Sequence, residues 1–267
     1  MYFSLGSVAL SIKIEKGEGN LDNMETNRIT PSRFIIKVEN LSKSYGSNQV
    51  LNNVSFKLRQ GQIIGLLGPN GCGKTSLLKI LTGLINDYTG EVYVDGLTPG
   101  EKTKAVVAYL PERTYLADWM TASDAINFFA DFYKDFDKEK AFRMAQQFNL
   151  PLKQKTKTMS KGQQEKMQLI LVMSRNAKLY VLDEPLGGVD PASRSYILDV
   201  IMDNYAKDSS VIMSTHLIHD VERAFDHVLM IGGGNVLLDA DTDDVLRSGK
   251  TIEDVFKEVF RFAWETN

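Results

Sequence analysis

The segment Gly68–Thr75 constrains the fold of this chain more than any other part of its sequence. It reads Gly-Pro-Asn-Gly-Cys-Gly-Lys-Thr, matches the pattern G-x-x-x-x-G-K-[ST] and follows the nearly continuous apolar run Gln62–Leu67. Glycines let the backbone N–H groups of such a loop turn inward around an anion, and the following helix adds the positive end of its dipole. The sequence therefore predicts a buried strand, a phosphate-binding loop and a helix from about Lys74 to Thr82.

The loop predicts a nucleotide site with a metal ion. Its Lys74 ammonium is placed to reach the β- and γ-phosphates of a nucleotide, and its Thr75 hydroxyl to bind Mg²⁺. Cys72 lies at the start of the helix, where the dipole is expected to lower the pKa of its thiol; the alternative is a small filler residue. A Gly-rich turn with a solvated lysine is disfavoured by the strand–loop–helix context. The predicted nucleotide-binding residues of the loop are Gly68, Pro69, Asn70, Gly71, Cys72, Gly73, Lys74, Thr75 and Ser76.

Two adjacent carboxylates end a second apolar strand. Asp183 and Glu184 follow the strand Leu179–Leu182, and α/β sheets bind ligands at the carboxyl ends of their strands. Asp183 suits Mg²⁺, directly or through water, and Glu184 suits the base that acts on an attacking water. His216 follows the strand Val211–Ser214 at the same predicted edge. The alternatives are a solvated acid pair and a structural histidine.

Two further polar sites are interpreted as helix caps. Asp190 and Pro191 fit an N-cap followed by proline at the first helical position, and Ser160 with Gln163 fits a capping box. Capping does not explain Gly162, because glycine in a helix costs about 1 kcal/mol relative to alanine. Its presence predicts that another group, such as a phosphate, approaches the backbone there.

Strands and helices alternate over most of the chain after residue 33. The pattern predicts an α/β fold: a P-loop core with a mainly parallel sheet and an antiparallel β part at its N-terminal side. We expect one domain over 34–245, with a helical block at about 113–174 inserted, and a C-terminal helix within 246–267. The predicted strands are Phe34–Val38, Val54–Leu58, Gln62–Leu67, Glu91–Val94, Val106–Leu110, Leu179–Leu182, Val211–Ser214 and His227–Ile231. The later predicted helices are 121–132, Asp137–Phe148, one beginning at Met159, Pro191–Tyr205 and Leu217–Phe225.

Charge and composition exclude several classes of protein. Lys and Arg number 31 against 34 Asp and Glu, for a net charge of −3, so the chain lacks the basic excess of a protein that coats nucleic acid. No apolar run approaches the ~20 residues that cross a bilayer, so the chain is not expected to be a channel or carrier itself. The single cysteine forbids an internal disulfide and a thiolate zinc cluster, which fits a reducing, cytoplasmic setting.

Residues 1–33 have no clear periodicity and are expected to form a disordered extension. They lack the basic region and cleavage site of a signal peptide. Residues 16–19 read Lys-Gly-Glu-Gly, which purine-rich codons resembling a ribosome-binding site can encode. Translation that starts at Met24 is therefore one hypothesis, and a genuine tail is the other.

The order and spacing of these features over about residues 34–245 resemble the ATP-binding subunit of ABC transporters. The loop at 68–75 matches the first Walker motif. The other matches are Tyr45 at the adenine-stacking position, Met159–Gln163 at the LSGGQ signature, Asp183 and Glu184 at the second Walker motif, Gly188–Asp190 at the D-loop and His216 at the switch histidine.

The resemblance implies ATP hydrolysis by a head-to-tail pair of domains, either two copies of this chain or this chain with a paralogue. Each ATP would lie between the phosphate loop of one domain and the signature of the other, with Asp190 in the D-loop beside it. Glu184 would polarise the attacking water, and His216 would bridge Glu184 and the γ-phosphate. The residues implied to contact the partner's ATP are Ser160, Lys161, Gly162 and Gln163.

Two departures from the family pattern bear on the mechanism. The signature has Met159 in place of leucine and Lys161 in place of the first glycine. Glu112 stands where the family has the glutamine of the Q-loop. A carboxylate there can bind Mg²⁺ together with Thr75 and Asp183, but it cannot donate a hydrogen bond as glutamine does.

The resemblance also implies a separate membrane permease, which would hold this chain at the inner face of the cell membrane. Six aromatic residues between Trp119 and Phe136 are expected to form mostly the core of the helical block, a few of them a groove for the permease. The short tail after Ile231 has no room for the β-domain of many importers and resembles ATPases that export drugs, peptides or lipids. The alternative is a soluble ABC-type ATPase not engaged in transport, for example in iron–sulfur assembly; no nucleic-acid partner is expected.

Overall fold

The computed structural model describes residues 34–206 and 208–265. The expected extension 1–33, with the alternative start at Met24, lies outside the described residues. The strands are β1 Phe34–Tyr45, β2 Asn48–Arg59, β3 Ile63–Leu67, β4 Thr89–Val94, β5 Val107–Leu110, β6 Leu179–Asp183, β7 Ser210–Thr215, β8 His227–Gly232 and β9 Asn235–Asp241. The helices are α1 Lys74–Leu81, α2 Glu101–Lys104, α3 Ala122–Phe132, α4 Lys138–Gln147, α5 Lys161–Met173, α6 Pro191–Asn204, α7 Ile218–Val221, α8 Thr242–Arg247 and α9 Ile252–Glu265.

Two sheets organise the described part of the chain. The first is antiparallel, with the strand order β2-β1-β4. The second has the order β5-β6-β7-β3-β8-β9 and is parallel except for β9, which pairs antiparallel with β8. Strands β3, β6 and β7 are buried along their whole length, as expected where helices cover both faces of a parallel sheet. The predicted α/β fold is confirmed.

The strand order brings three chain segments together at one edge of the parallel sheet. β6 and β3 lie on either side of β7, with Asp183 paired to Ser214 and Leu67 paired to Thr215. The phosphate loop follows β3, Asp183 ends β6 and His216 follows β7. Since the carboxyl ends of parallel strands share one edge, residues far apart in the sequence meet there.

The helical block contains α3, α4 and α5, between β5 and β6. Arg175 connects this block to the sheet, because its guanidinium bonds the Asp135 carboxylate at 3.0 Å and the carbonyl of Val107 at 2.8 Å. Arg175 is buried, so both contacts hold a charge that would be costly to leave unpaired.

The C-terminal part differs from the expectation. β9 and α8 were not predicted, and the expected domain boundary at 245/246 falls inside α8. The predicted helix Leu217–Phe225 is wrong in extent: α7 is four residues long, and a 3₁₀ turn follows it at Glu222–Ala224. The chain turns there because Asp226 bonds the backbone of Ile63 through its N–H and its carboxylate, which directs the chain into β8.

Candidate active site

The loop between β3 and α1 folds around the ammonium group of Lys74. The Nζ atom donates to the carbonyls of Gly68 at 2.6 Å and Pro69 at 3.2 Å, and the residue is only 6% exposed. Gly73 precedes the helix with a φ of +106°, and a Cβ there would lie 2.6 Å from the carbonyl oxygen of Val50. Glycine is therefore required at this position by both its backbone conformation and its surroundings.

Cys72 is packed inside the loop. A Cβ added to Gly68 would lie 2.6 Å from the Cys72 Sγ atom, and the cysteine is buried. Burial raises the pKa of the thiol, and the nearby Lys74 ammonium opposes this only in part. The expectation of a lowered pKa is therefore wrong, because the thiol is cut off from the solvent that would stabilise its thiolate. The packing agrees with the alternative of a small filler residue.

Asp183 provides a carboxylate that suits a divalent cation. Its Oδ1 atom accepts hydrogen bonds from Ser214 Oγ at 2.6 Å and from Thr75 Oγ1 at 3.3 Å. Its Oδ2 atom is buried and accepts no hydrogen bond within the described part of the chain. A buried carboxylate oxygen without a partner is costly, and a cation would pair with it. The donor set, one carboxylate beside a hydroxyl, fits Mg²⁺, which takes one or two carboxylates together with phosphate and water oxygens.

Among the described residues, no group of three or more His, Cys, Asp or Glu side chains could hold a metal ion by itself. A magnesium ion at Asp183 would therefore depend on phosphate oxygens and water for most of its ligands.

Glu184 and His216 contact each other at the carboxyl edge of the sheet. The His216 Nδ1 atom lies 2.9 Å from Glu184 Oε2. Burial raises the pKa of the Glu184 carboxyl, and His216 and then Lys74 lower it in part. Glu184 has a φ of +49°, an uncommon conformation for a residue with a side chain, and Ser214 Oγ accepts from its N–H at 3.1 Å. The backbone is thus held in a strained state that directs this carboxylate toward the histidine.

These side chains surround a cavity of about 980 Å³. It is large enough for a nucleotide-sized ligand. The sequence-predicted residues that line it are Asn70, Gly71, Gly73, Lys74, Thr75, Ser76, Glu112, Lys161, Asp183, Glu184 and His216. Tyr45 is not among the lining residues, but its hydroxyl lies 3.3 Å from Oγ of Ser76, which lines the cavity.

Among the residues on the cavity wall that sequence reasoning missed are two on α5. Glu165 and Gln168 line the cavity, and each has one buried side-chain oxygen without a hydrogen-bond partner among the described residues. With Lys161 they follow the spacing i, i+4, i+7, which places side chains on one face of a helix. That spacing was the available signal, and it could have extended the predicted site along α5.

The rest of the signature lies apart from the catalytic side chains. Ser160, Gly162, Gln163 and Asp190 line a second, smaller cavity of about 160 Å³. The predicted caps are present: Ser160 N–H bonds Gln163 Oε1 at 2.9 Å, Gln163 N–H bonds Ser160 Oγ at 3.3 Å, and Asp190 accepts from Ser193 N–H at 3.1 Å. A Cβ added to Gly162 would meet no atom within 4 Å.

The parallel sheet, the glycine loop and the paired acids define a P-loop ATPase with an inserted helical block. The chain belongs to the ABC transporter family, because residues 51–187 match the sequence profile described as "ABC transporter". It is the ATP-binding subunit of an ABC transporter, and this family's ATP-binding cassettes are ATPases. The predicted family and ATPase activity are confirmed.

Relatives and solved structures agree with this assignment. The chain is 35% identical over 224 residues to the uncharacterized ABC transporter ATP-binding protein MJ1023 of Methanocaldococcus jannaschii, with 82% of each chain covered. It is 32% identical over 211 residues to the SkfA peptide export ATP-binding protein SkfE of Bacillus subtilis, which covers 77% of this chain and 88% of SkfE. A solved ATP-binding subunit of an ABC transporter superposes with a TM-score of 0.76 at 25% identity, covering 85% of this chain and 99% of the other.

Proposed function

We propose that this subunit hydrolyses ATP as one half of a head-to-tail pair and thereby drives a separate membrane subunit that exports a drug, peptide or lipid. The observation that carries the hydrolytic part is the 2.9 Å contact between Glu184 and His216 at the cavity that Lys74 lines. The export direction is supported by the similarity to SkfE, whose name assigns it to peptide export.

In this mechanism Lys74 exchanges its bonds to the Gly68 and Pro69 carbonyls for the β- and γ-phosphate oxygens of ATP. Glu184 accepts a proton from the attacking water while that water forms its bond to the γ-phosphorus and the bond to the β-phosphate oxygen breaks. His216 holds the Glu184 carboxylate in position through its ring nitrogen. The proposed Mg²⁺ ligands are Thr75, Asp183 and Glu112, and the ion, when bound, supplies positive charge to the phosphate oxygens.

The second half of each site comes from the other domain of the pair. Gly162 lies in the first turn of α5 and faces open space, so the packing of this chain gives no reason for a glycine there. A γ-phosphate bound to the partner domain would approach the α5 backbone at that point, together with Ser160 and the exposed ammonium of Lys161. The positive end of the helix dipole favours such an anion.

The surface that would receive the membrane subunit lies on the helical block. Phe128 and Phe132 on α3 stack with their ring centroids 6.1 Å apart, and they are 54% and 68% exposed. Trp119, just before the helix, is 69% exposed, whereas Phe129 and Phe136 pack against the buried core. Clustered exposed aromatic residues are typical of a protein interface. Through this contact the subunit would lie at the inner face of the cell membrane.

Co-purification tests the transport part of the proposal. The tagged chain is expressed in its native source, membranes are solubilised in detergent, and bound proteins are identified by mass spectrometry. We expect an integral membrane protein with the parent chain and its loss from the Phe128→Ser/Phe132→Ser variant. Leu84→Ser, an equally exposed apolar side chain outside the helical block, serves as the matched control and should keep the partner.

If only partners without membrane spans are recovered, transport is contradicted and the ATPase serves another process. Retention of the membrane protein by the double serine variant contradicts the docking surface alone.

A further inference from the structure

A buried lysine lies against the ring of Tyr45. The Lys43 Nζ atom is 4.6 Å from the centre of the Tyr45 ring, a cation–π distance, and Lys43 is only 3% exposed. The two residues are two positions apart on β1, the spacing that places side chains on one face of a strand.

Asp87 fixes the ammonium group in this place. Lys43 Nζ donates to the Asp87 carbonyl oxygen at 2.9 Å and to Oδ2 of the same residue at 2.5 Å. The Asp87 side chain is 83% exposed, so solvent weakens its attraction for the lysine. Burying an ammonium is costly, and an apolar residue would fill the same space at lower cost. Packing alone therefore does not explain why a charged residue occupies position 43.

The ring of Tyr45 is held from two sides beside the phosphate loop. Its hydroxyl lies 3.3 Å from Ser76 Oγ at the start of α1, and the ammonium covers one ring face. Tyr45 is 49% exposed, and because the ammonium covers one face of the ring, we infer that the exposed part includes the opposite face. The faces of aromatic rings carry partial negative charge, so two stacked rings repel through their faces. A cation on the far side of the Tyr45 ring reduces that repulsion.

We propose that Lys43 is a positioning residue for the purine base of the nucleotide: its ammonium orients the Tyr45 ring and makes the opposite face a better stacking surface. The inference rests on the proposed nucleotide site and adds to it the source of affinity for the base. Lys43 acts through Tyr45, so its effect requires both that ring and a base on the ligand.

Binding of ATP and of inorganic tripolyphosphate to the full chain tests this, because only ATP carries a base. Lys43→Met keeps a long side chain and removes the charge. We expect the Kd for ATP to rise by at most about fivefold, the limit that the size of an exposed cation–π contribution sets, while the Kd for tripolyphosphate stays the same. In hydrolysis the KM should rise and kcat should remain. Lys43→Arg, which keeps a cation near the ring, should restore most of the ATP affinity.

A double-mutant cycle separates positioning from folding. In a Tyr45→Ala background, Lys43→Met should weaken ATP binding no further. Equal loss of ATP and tripolyphosphate affinity, or the same effect of Lys43→Met with and without the Tyr45 ring, would overturn the inference. If Lys43→Met does not fold, Lys43→Gln, whose neutral amide can still donate to the Asp87 carbonyl oxygen, decides: weaker ATP binding with unchanged tripolyphosphate binding supports the proposal, and unchanged ATP binding overturns it. Failure of the parent chain to bind ATP would instead contradict the proposed function.

Discussion

The phosphate loop and the N-terminus of α5 both carry glycine at the start of a helix, yet the two glycines have different surroundings. A Cβ on Gly73 would collide with the carbonyl oxygen of Val50 at 2.6 Å, whereas a Cβ on Gly162 would meet nothing within 4 Å. Contacts within the chain explain why position 73 requires a glycine. For position 162 we infer that a group from outside the chain makes glycine necessary. Under the proposed pairing, the phosphate loop supplies one part of a nucleotide site, and α5 would supply the other part to the partner domain.

The largest effect is expected at Glu184, the proposed base beside the phosphate loop. Glu184→Gln removes the base without changing the size of the side chain, and we expect hydrolysis to fall by about 10² to 10⁴-fold. ATP binding should persist, and the ATP-bound pair should accumulate in light scattering or gel filtration. Glu139→Gln on α4, an exposed glutamate, is the control and should behave as the parent. Hydrolysis by Glu184→Gln at the parent rate contradicts the assignment of the base.

Alanine substitutions at Gly73 and Gly162 test whether the two glycines are required for different reasons. Gly73→Ala should weaken ATP binding and destabilise the chain by about 1–2 kcal/mol from its backbone conformation alone. Gly162→Ala should leave ATP binding by the single chain unchanged and stabilise the chain by about 1 kcal/mol, because alanine is the better helix former. Urea unfolding and equilibrium ATP binding measure both effects.

Gly162→Ala should also prevent the ATP-dependent pairing that Glu184→Gln accumulates, as tested in the double variant. If the Gly162→Ala chain does not fold or does not bind ATP, this glycine is required by the fold or the ATP site of its own chain. The proposed difference between Gly73 and Gly162 would then be contradicted.

The pH dependence of hydrolysis tests the assignment of Glu184 as the base. Its pKa is raised by burial, so the base becomes protonated, and activity is lost, as the pH falls through a value above the ordinary one of a glutamate. His216 lowers this pKa in part, so His216→Gln should move the acid limb of the pH–rate profile to higher pH. The residual activity of the variant, measured as kcat/KM against pH, checks the shift. An acid limb that moves to lower pH contradicts the contact between the two residues.

The smallest effect is expected at Glu112. It lines the cavity but is exposed, and glutamine keeps its size and one oxygen that can bind a metal. Glu112→Gln should therefore leave ATP binding intact and change hydrolysis only modestly, as measured by binding and steady-state assays. Complete loss of ATP binding would show that the carboxylate itself is required.

Features held by short-range contacts could be predicted from the sequence. The capping box at Ser160 and the N-cap at Asp190 agree with their predictions, since each cap involves residues three positions apart. The buried strands β3 and β6 were also predicted, because their apolar residues are contiguous.

Features that depend on distant partners were missed or misjudged. β9 needs β8 beside it to be a strand, although Gly233 and Gly234, the two residues between these strands, were a hairpin signal. The pKa of Cys72 depends on how deeply the loop is packed. Asp87, the partner of Lys43, lies 44 residues away, so the sequence around Lys43 does not predict their contact.

The α/β fold, the phosphate loop and ATPase activity could all be predicted from the amino-acid sequence, because glycine spacing, apolar runs and caps act over a few residues. Which side chains share a site became known from the three-dimensional fold. The order of the parallel strands brings Asp183, Glu184 and His216 to the loop. A Cβ on Gly162, at the start of α5, would meet no atom within 4 Å. Strand pairing and burial bring together groups that lie a hundred or more residues apart in the sequence. The identities of those residues do not reveal that they are neighbours in the fold.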